Sequence, residues 1–134
     1  MAFVLEPHVA GELGSKTKLD ATTHPPTIEE LHYVFDSSES DDIVQSFPVF
    51  LVSAGLAVSI ANSELTGARL AVAQCSLREP PDVAMPPYRW LQIVGHPSRD
   101  DFWITHEHRL AVTQAAMNVL RGHRLDHCDI TAID

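Results

Sequence analysis

Two stretches of this chain repeat one pattern, and the repeat restricts the folds open to it. Phe50-Leu51-Val52-Ser53 runs into Ala54-Gly55-Leu56-Ala57-Val58-Ser59-Ile60, then Leu65-Thr66-Gly67 and a strand-like Ala68–Cys75. Later, Leu110-Ala111-Val112-Thr113 runs into Gln114-Ala115-Ala116-Met117-Asn118-Val119-Leu120, then Arg121-Gly122-His123 and a strand-like Leu125–Ile130. In both copies a short apolar strand ends in a hydroxyl residue that can cap the following helix. Leu56 and Ile60, like Ala116 and Leu120, sit four apart and share a helix face. Gly122 suits a left-handed C-cap. Two strand–helix–strand units predict an α+β fold: one small domain with a mixed sheet, two or three short helices and an extended N-terminal arm.

The rest of the chain is read around these units. Residues 1–28 are turn-rich after Phe3–Leu5 and lack apolar periodicity, so they are expected to form an extended or mobile arm. Residues 29–134 are expected to form the compact domain. Leu31–Phe35 reads as a strand, and Ser38 or Ser40 is placed to cap a short helix over Asp41–Phe47 that Pro48 closes. Four prolines between Arg78 and Pro87 mark a loop. Tyr88–Val94 alternates and reads as a central strand, and Asp100–Thr105 as a strand in a hairpin with Leu110–Thr113. No charge occurs from Ile43 to Ser63, a length that raises the question of a membrane span. Pro48 and five polar residues interrupt it, and no Lys/Arg cluster flanks it, so a buried strand turning into a helix is expected instead.

At 134 residues the chain has the size of one domain. Eighteen acidic residues against nine Lys and Arg leave a net charge of −9, the wrong field for gripping nucleic acid. Met1–Pro7 lacks the basic and apolar segments of a signal peptide, and Cys75 and Cys128 lie outside any Cys-x-x-Cys pair. A cytoplasmic protein with two reduced thiols is expected.

Chemistry-bearing motifs are sparse. His106 and His108 stand two apart and His123 and His127 four apart, so a small metal-dependent hydrolase must be weighed. No His-Glu-x-x-His, Gly-x-Ser-x-Gly elbow or phosphate loop supports catalysis, and the reading carries no catalytic residue, metal or cofactor. What remains is a surface. Asp36, Glu39, Asp41 and Asp42 form an acidic face able to steer a basic protein partner, with Tyr88, Trp90 and Trp103 as aromatic anchors.

Several segments resemble a family of small, largely uncharacterised bacterial proteins: Tyr33–Asp36, Asp41–Ser53, Leu65–Gly67, Trp90–Gly95, Asp100–Phe102, Arg109–Ala116 and Leu125–Ile130. The likeness spans about residues 32 to 130, departing at the Pro-rich segment before the Trp90 strand. Its latter half is also similar to immunity proteins of bacterial polymorphic toxin systems. That resemblance implies a cytoplasmic, non-enzymatic protein that binds a cognate toxin, and the acidic face suits a basic toxin domain. The alternative in the interaction class is an assembly subunit that packs into a larger bacterial complex, or onto copies of itself, through the N-terminal arm.

Overall fold

The computed structural model describes residues 1–80 and 83–133. The elements in chain order are β1 (Ala2–Glu6), β2 (Gly11–Leu13), β3 (Lys18–Asp20), β4 (Thr27–Glu30), β5 (His32–Phe35), β6 (Ile43–Ser46) and β7 (Val49–Ser53). Then come α1 (Ala54–Ala61), β8 (Ala68–Val72), β9 (Gln74–Leu77), β10 (Tyr88–Ile93), β11 (Phe102–Ile104), β12 (Leu110–Thr113), α2 (Gln114–Leu120) and β13 (Asp129–Ile133). The fold is mostly β, which corrects the expected α+β class. The two helices have only eight and seven residues, 11% of the chain, against 43% in strands. Helices this short do not hold themselves together in water, so packing must stabilise them.

Two four-stranded sheets are built to one plan. Sheet A has the order β11-β12-β1-β13 and sheet B the order β6-β7-β10-β8. Ala2 at the start of β1 pairs with Thr113, and Tyr88 at the start of β10 pairs with Ser53. On the other side Leu5 pairs with Ile130, as Leu91 pairs with Leu70. The repeat seen in the sequence therefore extends to four strands and a helix per copy. The first strand of each copy is exchanged: β1 is central in the sheet made by the second copy, and β10 is central in the sheet made by the first.

Aspartates fasten the exchange. The Asp42 backbone N–H donates to Arg124 O at 2.9 Å, and its carboxylate accepts from Arg124 N–H at 2.7 Å. In the twin position the Asp101 N–H donates to Thr66 O at 3.0 Å, and its carboxylate accepts from Thr66 N–H at 3.0 Å. Each copy thus grips the loop that follows the other copy's helix. Gly67, in the first of these loops, has φ +94°, and a Cβ there would collide with the Phe102 carbonyl.

The shared core lies between the two sheets. Phe3 and Leu5 from β1, Phe50 and Val52 from β7, Leu91 from β10 and Leu110 and Val112 from β12 meet Leu56, Ile60, Met117 and Leu120 from the helices. Each helix opens on its expected cap. Ser53 Oγ accepts from Leu56 N–H, and Thr113 Oγ1 accepts from Ala116 N–H, both at 3.3 Å. Thr113 also donates to Asp101 Oδ1 at 2.6 Å. Ser53→Ala is expected to cost about 1 kcal/mol of unfolding free energy, and Thr113→Ala about 2, because its loss also strips Asp101 of a donor. Urea titration of the two variants measures the difference.

A second core is built by the chain between β1 and β6 together with the segment between β8 and β10. Sheet C has the order β2-β5-β9, with β5 and β9 parallel, and covers the outer face of sheet B. Tyr33, Phe35, Leu77 and Met85 pack there against Val44, Leu51 and Tyr88. His32 on β5 is buried; its Nδ1 accepts from Lys16 N–H at 3.3 Å and its Nε2 lies 2.9 Å from Ser76 Oγ. Burial, then the Lys16 charge, holds its pKa below the ordinary 6.5. The unfolded imidazole takes up a proton near 6.5 and the folded one only at lower pH. His32 therefore stabilises fully above 6.5 and loses that contribution as pH falls below it. Wild type is expected to lose more stability than His32→Gln between about pH 7.5 and about pH 5.5, measured by urea midpoints.

Three further expectations are corrected. Residues 1–28 are no arm: they supply the central strand β1, the strands β2 and β3 and the first half of β4, so residues 29–134 are not a separable unit. Asp41–Phe47 contains strand β6 rather than a helix, because Ile43 and Val44 are β-branched and pair through a tight Phe47-Pro48 turn with β7. Gly122 is not left-handed; α2 ends on Arg121 in right-handed helical geometry. The uncharged run 43–63 is β6, β7 and α1, and no described helix is long and apolar enough to cross a membrane.

Candidate partner-binding surface

The duplication gives each sheet an outer face, and the two faces differ in what lies over them. On sheet B the cross-strand row Val44–Leu51–Trp90–Ala71 faces outward. Val44 and Leu51 are fully buried there, sealed by sheet C. The matching row on sheet A is Trp103–Ala111–Val4–Thr131. Trp103 and Val4 are half-buried, Thr131 is exposed, and the small Ala111 between Trp103 and Val4 is fully buried; no described sheet packs on this row as sheet C packs on its twin. A cleft of about 190 Å³ at one side is lined by Val4, Glu6, Glu107, Arg109, Asp129 and Thr131 among others. A wider one of about 480 Å³ at the other side is lined by Met1, Arg99, Asp100, Asp101, Trp103 and Thr113 among others. Arg109 Nη2 reaches Glu6 Oε1 at 3.6 Å, and the remaining exposed carboxylates of the smaller cleft, Glu107 and Asp129, leave it net negative.

The acidic residues singled out by sequence do not form one face. Asp41 is fully buried, accepting from His127 N–H at 2.7 Å and from His127 Nδ1 at 3.2 Å, with Arg124 Nε 3.8 Å away. Asp42 is the clasp on Arg124 described above. Both hold the fold and have little surface to offer. Asp36 is exposed but shares Arg78 with Glu12, at 3.0 and 3.1 Å. Glu39 is exposed on the same loop.

The aromatic residues divide in the same way. Tyr88 is buried, and its hydroxyl donates to Asp41 O at 2.8 Å; burial, with Asp42 and Asp41 adding to it, pushes its pKa up to about 12. It is a core residue, not an anchor. Trp90 is half-buried, and forms part of the lining of two clefts beneath the β3–β4 hairpin, one with Pro25, Pro26 and Ile28 and one with Lys18, Glu29 and Glu30. Trp103 lies on the uncovered face of sheet A. Sequence reasoning missed Val4, Thr131, Glu6 and Asp129 as its companions. The apolar run Phe3–Leu5 was the available signal for a strand, but only the exchange of β1 brings it beside β12 and β13.

The histidines are not assembled into one site. His108 stacks edge-on with His24 and Phe47 on the surface, with ring centroids 5.7 and 5.8 Å away, while His123 and His127 attend Asp42 and Asp41. Among the described residues no three His, Cys, Asp or Glu side chains converge as metal ligands. Ser59 Oγ, His123 Nε2 and Asp42 Oδ2 do fall in series, at 2.9 and 3.7 Å. The second step is too long for a hydrogen bond, Asp42 already serves Arg124, and Ser59 sits inside α1, where backbone N–H groups are spent on the helix. The series ties α1 to the loop after α2. Burial first, then Asp41 and Asp129, pushes the Cys128 thiol up to about 12, so it stays protonated and weakly nucleophilic at neutral pH.

Comparison of the sequence with protein-family models and with curated proteins found no match.

Proposed function

We propose that the chain is a non-enzymatic protein-binding module, an immunity-like neutraliser that covers a cognate bacterial toxin domain in the cytoplasm. The single observation that carries this reading is the uncovered outer face of sheet A. Its twin on sheet B is sealed by an entire three-stranded sheet, whereas Trp103 and Val4 stay half-exposed between two clefts. An apolar centre with a large aromatic residue and a polar rim is the anatomy of a protein interface. The rim carboxylates and the net charge of −9 favour a basic partner.

The test co-produces the chain with each protein encoded beside it and follows cell growth. Restored growth of cells making a basic toxic domain is expected, with rescue weakened by Trp103→Ala while the variant's thermal unfolding stays close to wild type. Failure to rescue or bind any such domain would contradict the reading.

A further inference from the structure

We infer that the outer edge of β13 accepts an extended cationic segment of the partner as a fifth strand of sheet A. The inference rests on the binder reading and adds to it the mode of contact and the chemistry of the bound segment. β13 stands at the end of the sheet, paired on one side with β1. Its other edge pairs with no described backbone, and four of its five residues are exposed.

Free edges invite strand addition, and proteins normally guard them with lysine, proline or a bulge. Asp129-Ile130-Thr131-Ala132-Ile133 carries none of these, and three of its five residues are β-branched and favour strands. The twin edge, β8, is treated differently. There the Arg89 side chain on β10 reaches over and donates from Nε to Ala71 O at 3.2 Å. The β1 residue matching Arg89 is Phe3, which is buried beneath the Arg121 guanidinium and offers β13 no such cover.

The charge around the edge selects the occupant. Asp129 on β13, Glu6 on β1 and Glu107 before β12 share the small cleft on the outer face, against Arg109 alone. Side chains of an added strand alternate between the faces, so every second residue would lie beside this cleft. Lysine or arginine there meets carboxylates, and a β-branched residue on the alternate positions meets the apolar margin near Ile130. A second copy of the chain would bring the same carboxylates together and set −9 against −9, which disfavours self-pairing.

Hydrogen exchange at Ile130–Ile133 tests the inference on the full chain, with a short synthetic peptide of alternating Lys and Val as the probe. The Lys–Val peptide is expected to slow exchange there, and its Glu–Val counterpart is not. The Glu107→Lys/Asp129→Lys variant, changed only at exposed side chains, is expected to bind the Lys–Val peptide about tenfold more weakly. No slowing at millimolar peptide, or equal slowing by both peptides, would overturn it. Slowing that rises with protein concentration alone, with dimers in sedimentation, would assign the edge to a second copy and also overturn it. A complex with a basic toxin domain that leaves this edge exchanging freely would keep the binder reading and remove the strand-addition mode.

Discussion

Replacing Asp41 by lysine is expected to leave no folded protein, although the residue stands in a run of acids that looks like solvent-facing decoration. Its carboxylate is fully buried and accepts from the His127 backbone and ring, with the Arg124 guanidinium close by. These partners come from the loop between α2 and β13, so Asp41 joins the two copies of the fold. Breaking a buried charge pair from one side typically costs about 3–5 kcal/mol, because the remaining group is left uncompensated. A lysine there adds repulsion from Arg124 to that loss. Total stability for a domain of this size is on the order of 5–15 kcal/mol, so the substitution consumes most or all of it. Asp41→Asn keeps the shape and most acceptors and is expected to fold with a lowered urea midpoint. Glu39→Lys, on the exposed loop nearby, is expected to shift stability by less than about 0.5 kcal/mol. Circular dichroism across the three variants separates these outcomes. A cooperative, wild-type midpoint for Asp41→Lys would show that the side chain is not held as described.

The second large effect is expected at the N-terminus. Removing residues 1–7 takes away β1, which pairs with β12 on one side and β13 on the other. Sheet A would then be split, leaving β13 with no partner strand and the shared core without Phe3 and Leu5. The truncated chain is expected to be unfolded or molten, with loss of near-ultraviolet dichroism. Leu5→Ala, at a position 1% exposed, is the milder version and is expected to cost about 2–5 kcal/mol. A dispensable arm would behave otherwise: its removal would leave the melting transition in place and change only self-association.

Those two residues also show what could be read from sequence and what could not. The hydroxyl caps, both helices, the β7 and β12 strands before them and the β11–β12 hairpin follow from local pattern, and each stands where the residues indicate. Partnership is non-local and was not legible. Phe3–Leu5 is a short apolar run that suggests a strand, but the turn-rich residues after it point to an arm. Only the exchange of first strands makes β1 central. Lys18–Asp20 and Thr27–Glu30 are too short for periodicity to register, yet they pair with each other as a hairpin over sheet B. Counting such segments as irregular is what tilted the class toward α+β. The acidic run failed as a surface for a related reason. Four carboxylates close in sequence look alike, but strand β6 turns Asp41 inward and leaves Glu39 in water. Trp90 and Trp103 are alike by residue type as candidate anchors. Their difference, one under a hairpin and one on an open face, depends on an insertion present in one copy of the repeat only.

Native mass spectrometry of the untagged protein, alone and after recovery from lysate of its source cells, tests the central claim most directly. The account predicts a metal-free protein that forms a 1:1 complex with a basic toxin domain, and slowed hydrogen exchange across Trp103–Ala111 in that complex. A metal-loaded species without a protein partner, or a large assembly of this chain alone, would contradict it.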